Sequence, residues 1–178
     1  MNRREELLAW VGQQHQGQLV RKTTLPYVHH LKVVAEMADI APLGYEIGLC
    51  HDLLEKTTVT TNALKDALLE FGYGKAAAIT IVSAVTELTN VFTKTAYPDM
   101  RKTVRKEREA ERMANISPNA QTVKYADLLY NTDWMQAHDH KHLKKYLKKK
   151  QFFLKTMCKG DQSLYCNLLQ HIEMALCL

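Results

Sequence analysis

Apolar residues recur at intervals of three and four along almost the whole chain, the spacing that lines one face of a helix. They predict helices over 2–16, 26–39, 43–55, 60–71, 74–88, 99–114, 119–137, 141–158 and 161–176. Their ends carry matching signals. TTVTTNALKDALLEFG opens on threonines able to cap a helix and closes at Gly72, a residue suited to a stop. Pro118, in NISPNAQTV, stands near a helix start. Two stretches break the periodicity: GQLVRKTTL (17–25) and TNVFTKTAYPD (89–99). Loops between helices often carry binding groups. There is no internal repeat and no low-complexity linker. The pattern predicts an all-α protein, one compact bundle of about eight to nine helices. Residues 1–138 would form its core, with the helices of 139–178 packed on the same domain.

Composition narrows this picture. The chain has 178 residues, with only 7 Gly and 4 Pro, few breakers for a many-turned β fold. The start, MNRREELLAWV, is charged and amphipathic, with no apolar core of a signal peptide. The most apolar stretch, AAAITIVSAV (76–85), is far shorter than a membrane span. A soluble cytoplasmic protein without a membrane partner is therefore expected. Cys50, Cys158, Cys166 and Cys177 form no CxxC pair, which predicts reduced thiols rather than a disulfide framework or a zinc site. The net charge of +5 comes largely from KHLKKYLKKK (141–150) and RKTVRKER (101–108), and favours anionic partners. The lysine run lacks interleaved exposed aromatics for stacking on bases. It reads as a solvated or interface face, and nucleic acid is not expected as a partner.

The chemistry concentrates in GLCHDLLEKT (48–57). His51 and Asp52 interrupt an apolar run, and Glu55 follows four and three residues later, on the same side of a helix. Imidazole and carboxylate together suit a first-row metal, and Glu55 would hold or deprotonate a metal-bound water. Two ligands do not close a site. His30, in PYVHHLKVVAEM, and Asp127, in KYADLLYNT, also sit among apolar helical positions, where an unpaired polar group is costly. Each alone reads more readily as a hydrogen-bonded core residue or a helix-surface residue than as a ligand. The ordered set, one His, an adjacent His-Asp and a distant Asp, reads as a divalent-cation site with open positions.

That order resembles the HD superfamily of metal-dependent phosphohydrolases. More narrowly, it resembles the hydrolase domain of RelA/SpoT-type enzymes and their small stand-alone relatives, the metazoan SpoT homologue among them. The resemblance runs from about Gln14 to Met135. It rests on RKTTLPYVHH, LCHDLLEKT, LLEFG ahead of IVSAVTEL, and SPNAQTVKYADLLYNT. It implies an HD-domain bundle and removal of the 3′-pyrophosphate from guanosine tetra- or pentaphosphate, the alarmone of the stringent response. It implies one manganese ion on His30, His51, Asp52 and Asp127, with Glu55 positioning the attacking water. Arg21 and Lys22 would lie by the purine and Asn131 by the nucleotide, with Arg105 and Lys106 near the substrate phosphates. The partner would be a small nucleotide, and a homo-oligomer is left open. Two rival functions remain: an HD phosphohydrolase for another nucleotide phosphate ester, and a degenerate module binding a nucleotide or nucleic acid.

The chain departs from the family at two positions. Lys56 stands where the family has Asp. It could pair with Asp52 and weaken the metal site, reach the substrate phosphates as a catalytic group, or extend to solvent at a helix end. Leu128 stands where the family has Arg or Lys, which redistributes the positive charge near the nucleotide. HDHKH (138–142) reads as a solvated helix junction, and His15 and His171 as structural or exposed residues. Glu87 is either a pocket residue or a helix-end acid. Tyr130 and Trp134 read as packing residues, with a pocket wall as the alternative.

Overall fold

The structure, a computed structural model, describes residues 2–177. The described residues form ten helices and no strand. They are α1 (Arg3–Gln14), α2 (Tyr27–Ala38), α3 (Gly44–Cys50), α4 (Leu53–Lys56), α5 (Thr61–Glu70), α6 (Lys75–Leu88), α7 (Lys102–Met113), α8 (Pro118–His138), α9 (His140–Leu154) and α10 (Gln162–Leu176). None of them is long and apolar enough to cross a membrane.

The starts are capped by the side chains their sequences offer. Asn2 accepts from the Arg4 and Glu5 amides in a full capping box. Thr60 caps α5, Ser117 caps α8 with Pro118 in its first turn, and Asp161 caps α10. Gly72 follows α5 at φ +82°, the left-handed region that glycine enters without steric cost.

α2, α3 and α8 pack together at the centre. Leu31, Val34, Ile47, Leu49, Val123 and Ala126 are fully buried among them. The approach of α3 to α2 is close enough to require glycine. A Cβ at Gly48 would lie 2.8 Å from the Ala35 Cα, so the two backbones meet directly. α1 and α6 close the sides, and α9 and α10 lie against α8. The link from α9 to α10 is fixed to α8 by hydrogen bonds. The Tyr125 hydroxyl donates to the Met157 carbonyl, and the Lys159 and Asp161 amides donate to Gln121 and Thr122.

One expected element divides. The helix predicted over 43–55 breaks between α3 and α4 at His51 and Asp52. His51 Nδ1 lies 2.6 Å from the Gly48 carbonyl, the oxygen that an unbroken helix gives to the residue-52 amide. Asp52 takes φ −102° and ψ −1°, the sparsely populated bridge region. A side chain competing for a backbone partner is what apolar periodicity does not register.

Candidate metal centre

Four side chains from three places in the fold converge on one bowl. His30 comes from the first turns of α2, His51 and Asp52 from the break between α3 and α4, and Asp127 from the middle of α8. His30 Nε2 stands 3.5 Å from Asp127 Oδ1 and 3.8 Å from Asp52 Oδ2. His51 Nε2 stands 3.4 Å from Asp52 Oδ2 and 3.8 Å from Asp127 Oδ1. Cis donors on a cation with bonds of about 2.1 Å lie about 3 Å apart, so a small contraction would close the set on a first-row ion.

The chemistry of the donors fits a cation. With Nδ1 donating to the Gly48 carbonyl, His51 turns Nε2 into the bowl; burial lowers its pKa but Asp52 and Asp127 raise it above the ordinary imidazole value, so a bound cation would take the place of a proton there. That buried Nε2 has no hydrogen-bond partner, a cost unless something electron-poor meets it. The ligand atoms of His30, His51 and Asp127 all lie within 4.8 Å of one another. Burial and the neighbouring His51 push the His30 imidazole down to about 4, which keeps it neutral and able to donate its lone pair. Burial would raise the Asp127 carboxyl, but the charges of Lys124 and His51 hold it at about 2. Burial works the same way on Asp52, and His51, Lys56 and Tyr27 hold it well below the ordinary carboxylate range.

A second layer of side chains fixes these groups. The Tyr27 hydroxyl makes a short hydrogen bond to Asp52 Oδ2. Lys124 Nζ donates to Asp127 Oδ2 at 2.8 Å, and Asn131 Nδ2 donates to Asp127 Oδ1 at 2.6 Å. Glu55 sits at the rim, where Asn90 Nδ2 donates to it at 2.7 Å. Lys56 Nζ is 3.8 Å from Asp52 Oδ2 and 5.3 Å from the centre of the Tyr27 ring.

The bowl, of about 180 Å³, opens into a larger recess of about 370 Å³, and Tyr27, His30, Lys56 and Asn131 line both. The recess is walled by Tyr130, Trp134 and Tyr146 and also lined by Arg21. Trp134 is thus a wall as well as a packing residue. Its indole Nε1 donates to the Arg21 carbonyl at 2.8 Å, and the Arg21 guanidinium lies 5.6 Å from its ring centre.

Not every residue of interest gathers here. Lys22, at φ +59°, turns away to donate to the His138 carbonyl at 2.8 Å. Arg105, in the first turn of α7, donates to the Met100 carbonyl in the loop before it, and neither it nor Lys106 lines the bowl or the recess. Glu87 Oε2 accepts from the Ser117 amide and hydroxyl at the start of α8, away from the bowl. Leu128 is 1% exposed and belongs to the core, so its side chain leaves the charge around the recess unchanged. Tyr27, Lys124 and Asn90 are the contributors that sequence reasoning missed. Tyr27 and Lys124 each precede a ligand by three residues, so helical spacing put them on the ligand's face. Asn90 lies in the aperiodic 89–99 stretch, where no spacing rule applies.

No family model matches the sequence, and no curated protein sequence matches it either. Solved structures do. One is that of a metazoan ortholog of SpoT, which hydrolyses ppGpp and plays a role in starvation responses. It superposes with a TM-score of 0.78 at 18% identity, over 100% of this chain and 98% of that one. The chain has the fold of that hydrolase. At this identity the shared property is architecture, and it extends through α9 and α10 to the end of the described residues.

Proposed function

We propose that this protein is a metal-dependent nucleotide phosphohydrolase. Its substrate is guanosine tetra- or pentaphosphate, or a close analogue, from which it removes the 3′-pyrophosphate. The observation that carries the reading is the convergence of His30, His51, Asp52 and Asp127 on a bowl that opens into an aromatic recess. The likeness in fold to a ppGpp hydrolase supports the same reading.

Those four side chains would hold one divalent ion, with manganese suited to a mixed imidazole and carboxylate set. Such an ion, when bound, lowers the pKa of a water and neutralises phosphate charge. The rest falls to the chain. Glu55, steadied by Asn90, accepts the proton of the attacking water at the bowl's rim. Lys124 and Tyr27 hold Asp127 and Asp52 ionised and in place. Arg21 and the aromatic walls take the base, Asn131 stands between base and reaction centre, and Lys56 faces the phosphates at the junction of the two spaces. Lys22, Arg105 and Lys106 act from outside the cavities, on the approach of the anion.

A second reading, hydrolysis of another nucleotide phosphate ester, is favoured by Lys56 alone, a cation where the resembling family has an acid. Metal analysis followed by a product assay tests both. The expected result is one equivalent of transition metal, lost in Asp127→Ala, and release of pyrophosphate from guanosine tetraphosphate. Release of single phosphate selects the second reading. Failure to load any metal would sink both.

A further inference from the structure

Helix α9 turns three faces to three environments. Leu143, Leu147 and Leu154 are buried against the bundle. Tyr146 and Lys150 are half-buried and turned inward, Tyr146 reaching the recess and Lys150 lying over the rings of Tyr146 and Phe153. The third face is dominated by lysines. Lys141, Lys144, Lys145, Lys148 and Lys149 are all exposed, and α9 contains no acidic residue. Among the described residues, the lysines that form ion pairs are Lys22, Lys32, Lys56 and Lys124. None of them is on α9.

The exposed lysines fall into rows at a pitch of about 6 Å, four residues of helix. One row is Lys141, Lys145 and Lys149. The other is Lys144 and Lys148, and the next residue at that spacing is Phe152, an aromatic ring 75% exposed at the end of the row. The sequence alone showed no exposed aromatic beside these lysines, whereas in the structure Phe153 packs on the core and Phe152 is left exposed. Across from the first row, Lys102 and Lys106 lie one turn apart on the exposed face of α7. Desolvation lowers the Lys106 ammonium, and the charges of Lys149, Lys102 and Lys145 lower it further. Two helices therefore direct unpaired cations towards one strip, and a bare aromatic ring ends it.

A strip of like charges without counter-charges is a place for a polyanion. Its ring selects among polyanions. A membrane surface calls for a broad apolar face beside the lysines, and the leucines of α9 are buried. A duplex keeps the faces of its bases stacked inside. A single strand offers both regularly spaced phosphates and an open base for the ring. We propose that α9, with Lys102 and Lys106 of α7, is a binding surface for single-stranded nucleic acid, with Phe152 stacking on a base. This surface lies outside the metal bowl and shares only Lys106 with the approach of the hydrolase substrate, so strand binding does not depend on the hydrolase reading.

The test uses the full chain and fluorescence anisotropy with a labelled oligouridylate and a labelled oligothymidylate. Binding at physiological ionic strength, weakening steeply as salt rises, is expected. Lys145→Glu with Lys149→Glu should weaken it by at least about tenfold and flatten the salt dependence. Phe152→Ala should weaken the single strand by about fivefold or more, while a duplex of equal length is unaffected. Circular dichroism checks that each variant is folded. No binding by the parent protein overturns the proposal, as do variants that bind equally well. Loss in the charge-reversed variant with Phe152→Ala unchanged overturns the single-strand assignment. Binding to phosphatidylserine vesicles but to neither oligonucleotide assigns the surface to lipid and overturns it too.

Discussion

Lys56 is the residue on which the chemistry of this site turns. Its ammonium is partly exposed and pairs loosely with Asp52. It stands 3.8 Å from Asp52 Oδ2, against the Tyr27 ring, where the bowl meets the recess. Tyr27 holds that carboxylate oxygen by a hydrogen bond, and the charge of Lys56, which also stabilises Asp52, lines both cavities where an anion would meet it. Lys56→Asp reverses two charge units there and should raise KM for guanosine tetraphosphate at least about tenfold, since like charges in contact cost several kcal/mol. Steady-state kinetics on the manganese-loaded enzyme measures this, and an unchanged KM removes Lys56 from contact with substrate. The four candidate donors stood out because a polar residue inside an apolar helix must have a reason. The phosphate-facing cations were less so. Arg105 and Lys106 are basic in sequence, but a surface lysine or arginine can swing several ways, and nothing in its spacing tells where its charge ends.

At the level of elements, the distance between the two imidazoles is set by how α3 lies on α2. Gly48 permits that contact, one turn before His51 and beside Ala35. Gly48→Ala adds a methyl 2.8 Å from a backbone carbon that cannot move aside alone. Overpacking of this kind costs about 1–3 kcal/mol, which lowers the melting temperature by about 2–4 °C per kcal/mol in a chain of this size. The same displacement separates His30 from His51, so metal affinity should fall together with stability. Thermal denaturation and metal titration check the pair of effects, and a loss of stability with unaltered metal affinity would uncouple Gly48 from the site. The helices themselves were legible almost to their ends. The break at His51 was not, because it depends on a ring nitrogen reaching a carbonyl, a contact invisible to any pattern of apolar positions.

Taken whole, the molecule buries one cation that its mechanism does not need. Burial and the charge of Lys124 push the Lys150 ammonium down to about 8, with Asp127 opposing and Lys106 adding to the effect. Between about 8 and its ordinary value of 10.5, the unfolded chain binds a proton at Lys150 that the folded chain has released, so this residue makes stability rise with pH across that window. Below it, the buried charge is a standing cost. Lys150→Met should therefore raise the melting temperature at pH 7 by about 2–4 °C for each kcal/mol relieved. That gain should shrink as pH passes 8 towards 10, and melting curves along that series decide it. The all-α architecture was legible from periodicity alone, and the order of the helices followed from it. What periodicity could not convey is that α8 serves two masters. One side bears Asp127; another, through Gln121, Thr122 and Tyr125, grips the link between α9 and α10 so tightly that a Cβ at Gly160 would lie 2.6 Å from the Tyr125 ring. A chain shortened to end at residue 138 would keep every residue that lines the candidate bowl and lose the hydrogen bonds tying α8 to the link from α9 to α10, and should melt well below the full chain.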